Sequence, residues 1–213
     1  MKYKDSLIGK AIESSLASQE SQSHEQIWQK PHYEEVKMHS FIENGVLKKF
    51  DERDLDANKR ITLPSDITEI DCYAFYRCKK VKEIILPQNV KTVGLGAFCS
   101  CVNLERVLLP STLERLAPAT FKDCWALKCV NLPTQLREIP FQCFLHCKSL
   151  ETIRLPKTVT RICEQAFLDC EKLKYIDYSP EINLQYLAFD AFHNCDGGKL
   201  FLSRLKSKNA INK

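Results

Sequence analysis

The sequence predicts one elongated α/β solenoid of stacked coils, and three recurring features predict it. Leu-Pro pairs recur every 23 residues, at Leu63-Pro64, Leu86-Pro87, Leu109-Pro110, Leu132-Pro133 and Leu155-Pro156. Phenylalanines follow the same spacing at Phe75, Phe98, Phe121, Phe144 and Phe167, and cysteines do so at Cys78, Cys101, Cys124, Cys147 and Cys170. A strict period of this length is typical of a solenoid, in which each unit buries its apolar face only against its neighbours.

Each repeat contains the pattern of one short strand. In the unit that runs from Leu104, the apolar residues Val107 and Leu109 alternate with Arg106 and Leu108, which therefore face the opposite side. Proline follows at once and ends the strand, because it has no backbone N–H to donate. Each coil is thus expected to add one strand to a parallel sheet.

The outer side of each coil is expected to be a compact turn. An Ala-Phe or Thr-Phe step, such as Ala74-Phe75 or Thr120-Phe121, marks its start. One short helical or 3₁₀ turn fits the number of residues available there.

Both ends of the chain depart from the repeat, and we divide the chain accordingly. Residues 1–35 contain apolar residues at helical spacing from Leu7 to Leu16, which predicts a helical or partly disordered segment. A short amphipathic helix there would either fold onto the solenoid or dock a partner. Residues 36–60 are expected to form a hairpin cap around Asn44-Gly45, because both positions tolerate positive φ. Residues 61–195 form the solenoid itself.

The last segment, residues 196–213, is predicted to be a C-terminal cap and a basic tail. Phe192 follows Phe167 by 25 residues, so the last coil is longer than the others. Gly197-Gly198 interrupts the pattern, and Leu200–Leu202 could form a closing strand. The basic end of the chain is expected to be solvated and frayed.

The repeated motif LxxVxLPxxLxxLxxxxFxxC resembles the BspA-type leucine-rich repeat. The resemblance covers Ile61 to Cys195 and rests on five copies in register. It implies a curved, horseshoe-like right-handed coil with the parallel sheet on its concave face. It also implies a role in protein binding or adhesion, and it carries over no catalytic residues. Gly94 fits the family's glycine position, whereas Asp71, Ala117, Pro140 and Cys163 replace that glycine in the other coils.

Composition and charge narrow the class of protein. A formal net charge of +4, with basic and acidic residues intermixed, argues against a dedicated nucleic-acid surface. No stretch has the ~18 apolar residues of a membrane span, and the first residues lack the apolar run of a signal peptide. We therefore expect a cytoplasmic protein with reduced thiols, or a secreted or surface protein if a signal had been removed.

The eleven cysteines allow other chemistries, namely disulfides, a metal site or a reactive thiol. Stacked cysteines would lie about 5 Å apart, yet their parallel Cβ directions oppose the dihedral of a disulfide. Three groups could suggest a metal, namely Cys143, His146 and Cys147; His193 and Cys195; and Cys99 and Cys101. None has the Cys-x-x-Cys spacing of common zinc sites. His146 beside Cys147 could suggest a nucleophile and its base, but a buried thiol is protonated and inert.

The strand residues that face away from the core are the candidate binding residues. They are Arg60, Thr62, Glu83, Ile85, Arg106, Leu108, Cys129, Asn131, Thr152, Arg154, Tyr175 and Asp177. They combine arginine and tyrosine, which are enriched at binding hot spots, with apolar residues that the core does not need.

The sequence therefore predicts a non-enzymatic protein-binding module, without cofactor, metal or disulfide and monomeric, that holds a protein partner on the concave face. Two alternatives stay open at this point. One is a thiol- or metal-dependent enzyme or redox sensor that uses the cysteines, and the other is a structural segment of a surface adhesin.

Overall fold

The computed structural model describes residues 38–211, with side chains as far as residue 205. The helical or partly disordered segment expected over residues 1–35 lies outside the described residues, as does the extreme end of the basic tail. The strands are β1 Phe41–Glu43, β2 Val46–Lys49, β3 Arg60–Thr62, β4 Glu69–Ile70, β5 Glu83–Ile85, β6 Thr92–Val93, β7 Arg106–Leu108, β8 Arg115–Leu116, β9 Cys129–Val130, β10 Glu138–Ile139, β11 Thr152–Leu155, β12 Arg161–Ile162, β13 Tyr175–Tyr178 and β14 Tyr186–Leu187. A 3₁₀ turn at Glu52–Asp54 and the helix α1, Asp196–Ile211, complete the described part.

The predicted parallel sheet is present, and we call its exposed side the first face. Strands β3, β5, β7 and β9 pair in parallel, and β11 pairs with β13 at the same place in the repeat. Between β9 and β11 the coils remain joined by the backbone N–H of Glu151, which donates to the carbonyl of Lys128 at 3.2 Å. Equivalent residues therefore stack from coil to coil along the whole row.

Each coil contains a second short strand that the sequence did not predict. Strands β4, β6 and β8 pair in parallel with one another, and β10, β12 and β14 do the same further along the chain. Each of these strands is only two residues long. In β8, for example, Arg115 is exposed and Leu116 is buried. Two residues are too few to show the alternation that identifies a strand.

The outer side of each coil is a turn that hydrogen-bonds to the next coil. In the first coil, the N–H groups of Ala74 and Tyr76 donate three residues back, as in a 3₁₀ turn. Those of Tyr73, Phe75 and Arg77 donate to the next coil, at 2.8–3.0 Å. Tyr73 and Arg77 both have φ of 59°, which interrupts any regular helix there. The turns therefore form a third row of inter-coil bonds.

Stacked phenylalanines fill the core beneath this outer side. Ring centroids lie 4.5–5.4 Å apart along Phe50, Phe75, Phe98, Phe121, Phe144, Phe167 and Phe192. Such aromatic pairs add about 0.5–1.5 kcal/mol each beyond the burial of their surface. Phe50 lies outside the 23-residue spacing, yet it continues the stack to the N-terminal end.

A hairpin closes the N-terminal end of the described part. Asn44 and Gly45 have φ of 50° and 74° and connect β1 to β2, which then pairs in parallel with β4. The open edge of the first sheet is bonded as well, because Arg60 N–H donates to the Asp56 carboxylate at 2.8 Å and Asp56 N–H donates to the Arg60 carbonyl at 3.0 Å. An edge bonded in this way is less available for pairing with another chain.

The closing strand predicted at Leu200–Leu202 is wrong, because these residues lie in α1. Phe201 is buried at 2% exposure and lies 5.5 Å from the Phe192 ring, so the helix covers the last ring of the stack. Gly198 does not interrupt the structure but allows this approach. A Cβ added to Gly198 would lie only 2.2 Å from the Phe192 Cβ.

Candidate functional site

The residues predicted to face away from the core lie in the strands of the first face, except Asn131, which follows the end of β9. Their buried neighbours Ile61, Ile84, Val107, Val130, Ile153 and Ile176 point inward. The register places Arg60, Glu83, Arg106 and Cys129 in one stacked row and Thr62, Ile85 and Leu108 in a second. Beyond the break between β9 and β11, Thr152 stacks on Tyr175 and Arg154 on Asp177.

Charges on the first face are partly paired within it. The Arg60 Nε lies 3.0 Å from the Glu83 carboxylate, and the Arg154 Nε lies 3.5 Å from the Asp177 carboxylate. Arg106, next to Glu83 in register, forms no ion pair with any carboxylate of residues 38–205. Exposed ion pairs of this kind contribute little to stability. Arg60 and Arg154 can therefore take part in recognition of a partner with little effect on the fold.

Leu108 and Tyr175 are exposed on the first face, and Ile85 is half-buried there. Leu108 lies beside Ile85 in the neighbouring strand and is 36% exposed, while Tyr175 is 48% exposed. Neither side chain fills the core, which lies on the other side of the sheet. Large exposed side chains of these types on one face are typical of a contact surface.

Asn131 has a role in the sheet that the sequence did not predict. Its side-chain oxygen accepts from the Leu109 N–H at 3.0 Å, and its side-chain nitrogen donates to the Leu109 carbonyl at 2.9 Å. In the preceding pair of coils the Leu108 backbone carbonyl accepts from the Leu86 N–H. The asparagine amide therefore replaces a backbone bond at the point where β9 ends early.

The cysteines at ladder positions are bonded and buried. The thiols of Cys101, Cys124, Cys147 and Cys170 each donate to the carbonyl of the phenylalanine in the preceding coil, at 3.0–3.2 Å. Burial raises the pKa of each of these thiols well above the ordinary 9.0, and it raises that of Cys78 to about 12. All eleven cysteines are free thiols. These ladder thiols stay protonated at neutral pH, which removes the nucleophilic form.

His146 does not activate Cys147. Its Nδ1 lies 2.6 Å from the Asp123 carboxylate and its Nε2 lies 3.3 Å from that of Asp169, so both ring nitrogens face carboxylates of neighbouring coils. The Cys147 thiol meanwhile donates to the Phe121 carbonyl. Across the described residues, no group of three or more histidine, cysteine, aspartate or glutamate side chains is arranged to hold a metal ion.

The outer turns carry exposed apolar residues that the sequence reasoning missed. Leu95, Pro118 and Phe141 all lie three residues before a stacked phenylalanine, and Tyr73 and Tyr76 lie beside them. Together they line an open groove with a volume of about 720 Å³. The sequence does contain a signal for this groove. Leu95, Pro118 and Phe141 are apolar at a position of the repeat that does not have to be apolar.

Comparison with protein families decides what these repeats are. The model described as "BspA type Leucine rich repeat region (6 copies)" matches residues 50–174 and 138–209. The chain belongs to the BspA-type leucine-rich repeat family.

Solved leucine-rich repeat structures support this assignment of the fold. A Treponema pallidum leucine-rich repeat protein superposes with a TM-score of 0.60 at 23% identity, over 76% of this chain and 86% of that one. A Bacteroides ovatus protein gives 0.52 at 29%, over 67% and 38%, and a Eubacterium ventriosum protein gives 0.60 at 19%, over 72% and 47%. This chain thus spans under half of the last two. No curated protein sequence matches.

Membership of this family fits the predicted repeats, solenoid and protein-interaction class. It gives no support to the cytoplasmic location expected from the sequence. No helix within residues 38–211 has the length and apolar character needed to cross a membrane.

Proposed function

We propose that this family member is a non-catalytic binding module and that its first face holds a protein partner. The observation that carries the proposal is the row of exposed side chains in fixed register, from Arg60 in β3 to Tyr175 in β13. Six stacked strands at about 4.8 Å spacing make this row roughly 25 Å long.

Rigidity favours binding by such a surface. The strands are bonded to their neighbours, and the buried residues between the exposed ones fix each strand against the core. A partner therefore orders few side chains when it binds, and little of the contact energy is lost as entropy. Repeat proteins offer extended surfaces of this kind.

Arg106 is the residue on which we expect most of the specificity to depend. It lies in the centre of the row, and its charge is not neutralised by an ion pair with a described carboxylate. Ile85 and Leu108 provide apolar contact area beside it. An acidic group on a partner, flanked by apolar side chains, would complement this arrangement.

The experiment compares binding by wild type with binding by an Arg106→Glu/Arg154→Glu variant, using lysate of the native host as the source of partner. The matched control is Arg115→Glu/Arg137→Glu, which makes the same charge change at exposed positions off the first face. We expect the control to retain the partner and the first-face variant to lose it, with equal thermal stability for all three proteins. Equal retention by both variants would refute the first face as the site.

A further inference from the structure

A second surface of the molecule has the features of a binding site, and it lies on the outer turns instead of the first face. Tyr73 is 50% exposed, Tyr76 43%, Leu95 38% and Phe141 42%. All four, together with Pro118, line one groove across four consecutive coils. We call these five residues and the space between them the turn groove. A cluster of this size is more than the scattered exposure of single apolar residues.

The floor of the turn groove is held rigidly by the backbone. The N–H groups of Tyr73, Gly96 and Ala119 donate to the carbonyls of Leu95, Pro118 and Phe141 in the next coil, at 2.9–3.0 Å. Gly96 also leaves room for an aromatic ring, since a Cβ there would lie 2.5 Å from Tyr73 Cε1. The groove is therefore formed before any ligand arrives.

Two cationic side chains, Arg77 and Lys122, lie beside the turn groove. The Arg77 guanidinium lies 5.0 Å from the centre of the Tyr76 ring, and Lys122, part of the groove lining, donates to the Gln142 side chain. Neither forms an ion pair with a carboxylate of the part of the chain that the structure describes.

The nearby acids, in contrast, are already engaged. Asp71 pairs with Lys48 at 3.1 Å, and Asp123 pairs with His146 at 2.6 Å. Arg77 and Lys122 thus remain without a carboxylate partner among the described residues, and a ligand with carboxylates complements them.

The length of the turn groove fits a short extended peptide. From the coil of Tyr73 to that of Phe141 there are three steps of about 4.8 Å, or roughly 14 Å. An extended or polyproline chain rises about 3.1–3.3 Å per residue, so four or five residues span the groove. Aromatic-lined grooves of this kind accept the apolar side chains of extended peptides.

We propose that the turn groove binds an extended peptide segment that carries apolar side chains next to carboxylates. This surface is separate from the first face, so the inference goes beyond the function proposed above. Tyr73, Tyr76, Leu95, Pro118 and Phe141 contact the apolar side chains, while Arg77 and Lys122 pair with the carboxylates.

Selection from a displayed library of short random peptides tests this proposal on the full chain. We expect wild type to enrich peptides in which aspartate or glutamate neighbours leucine, proline or aromatic residues. A synthetic enriched peptide should bind a Tyr76→Ser/Phe141→Ser variant at least about tenfold more weakly, since truncating hot-spot side chains typically has effects of this order. Raising the salt concentration should weaken binding to wild type.

The matched control is Phe189→Ser. Phe189 occupies the same repeat position as Phe141 but lies two coils beyond the turn groove and is 97% exposed. This variant should bind the peptide like wild type. A charge-only variant, Arg77→Glu/Lys122→Glu, leaves the apolar residues in place and should also lose affinity.

Several results would overturn the proposal. They are enrichment of basic peptides, absence of any enrichment, and unchanged affinity in the Tyr76→Ser/Phe141→Ser variant. Concentration-dependent dimers in sedimentation velocity that this variant abolishes would instead assign the groove to a second copy of the chain. Because Arg106 and Arg154 are unchanged in these variants, the first-face proposal stands or falls separately.

Discussion

Raising the pH above about 9 should destabilise this protein progressively, because the buried thiols resist ionisation only in the folded state. Five thiols carry the argument, at Cys101, Cys124, Cys143, Cys147 and Cys170, and each is 0% exposed. Burial raises the pKa of each well above the ordinary 9.0. In the unfolded chain they ionise near their ordinary pKa.

The sign of the effect follows from proton binding. Above pH 9 the folded state keeps these protons and the unfolded state loses them, so the unfolded state is favoured increasingly as pH rises. The stabilisation is complete below about pH 9 and is lost as pH increases toward the folded-state pKa. At pH 10 each thiol costs about 1.4 kcal/mol, so five together cost about 7 kcal/mol. A domain is usually stable by only about 5–15 kcal/mol, so this loss is large.

Urea unfolding at a series of pH values between about 8 and 10, under a reducing agent, measures the effect. At pH 10 most lysine side chains are still protonated but tyrosine is about half ionised, so the difference between wild type and a thiol variant isolates the contribution of the thiol. A Cys147→Ala variant has one fewer buried thiol, so its loss of stability between pH 8 and pH 10 should be about 1.4 kcal/mol smaller than that of wild type, whatever its stability at pH 8. Cys72→Ala removes an exposed thiol and should leave the slope unchanged. A free energy of unfolding that stays constant across this range would show that the thiols are not held protonated by burial.

Two further predictions concern the thiols and the C-terminal helix. Native thiol titration should label Cys72 and Cys129, the exposed cysteines, quickly and the other nine only after unfolding, and rapid labelling of any ladder cysteine would favour the redox or thiol-enzyme alternative. Gly198→Ala, which in an ordinary helix interior would stabilise by about 1 kcal/mol, should instead destabilise by about 1–3 kcal/mol, because its Cβ would collide with Phe192. Thermal melts beside Lys199→Ala, an exposed position in the same helix, check this, and an unchanged or higher Tm for Gly198→Ala would contradict the packing argument.

Most of the fold was predictable because each coil repeats the same chemical requirement. A 23-residue spacing of Leu-Pro, Phe and Cys fixes one strand, one outer turn and one core layer per coil, so the family and the first sheet followed directly. The second strand did not, since residues such as Arg115–Leu116 are too short to show a period. The closing helix was not predicted because Leu200–Leu202 looks like a strand when considered alone. The packing of Phe201 on the Phe192 ring, which accompanies the helix, is visible only in the structure.

Some properties of the candidate binding residues could be predicted from the sequence, and others could not. Alternation alone placed Arg106 and Leu108 correctly on the outside of the sheet, because a strand has period two. Alternation could not show that the Asn131 amide replaces a backbone hydrogen bond, since that depends on β9 ending one residue early. It also could not identify the turn groove, whose residues come from four coils and meet only when the coils stack.

Because the repeat fixes the residue types in the core, residue types that recur at exposed positions of the repeat are the ones that can indicate function. The residue three places before each stacked phenylalanine is Cys72, Leu95, Pro118, Phe141, Glu164 and Phe189 in successive coils. The solenoid accepts an exposed cysteine, a proline and a glutamate there, so burial does not require an apolar side chain. The consecutive run of Leu95, Pro118 and Phe141 therefore has no structural cause in the core. It lies beside Arg77 and Lys122, which form no ion pair with a carboxylate of the described residues, and this is the reason to test the turn groove as well as the first face.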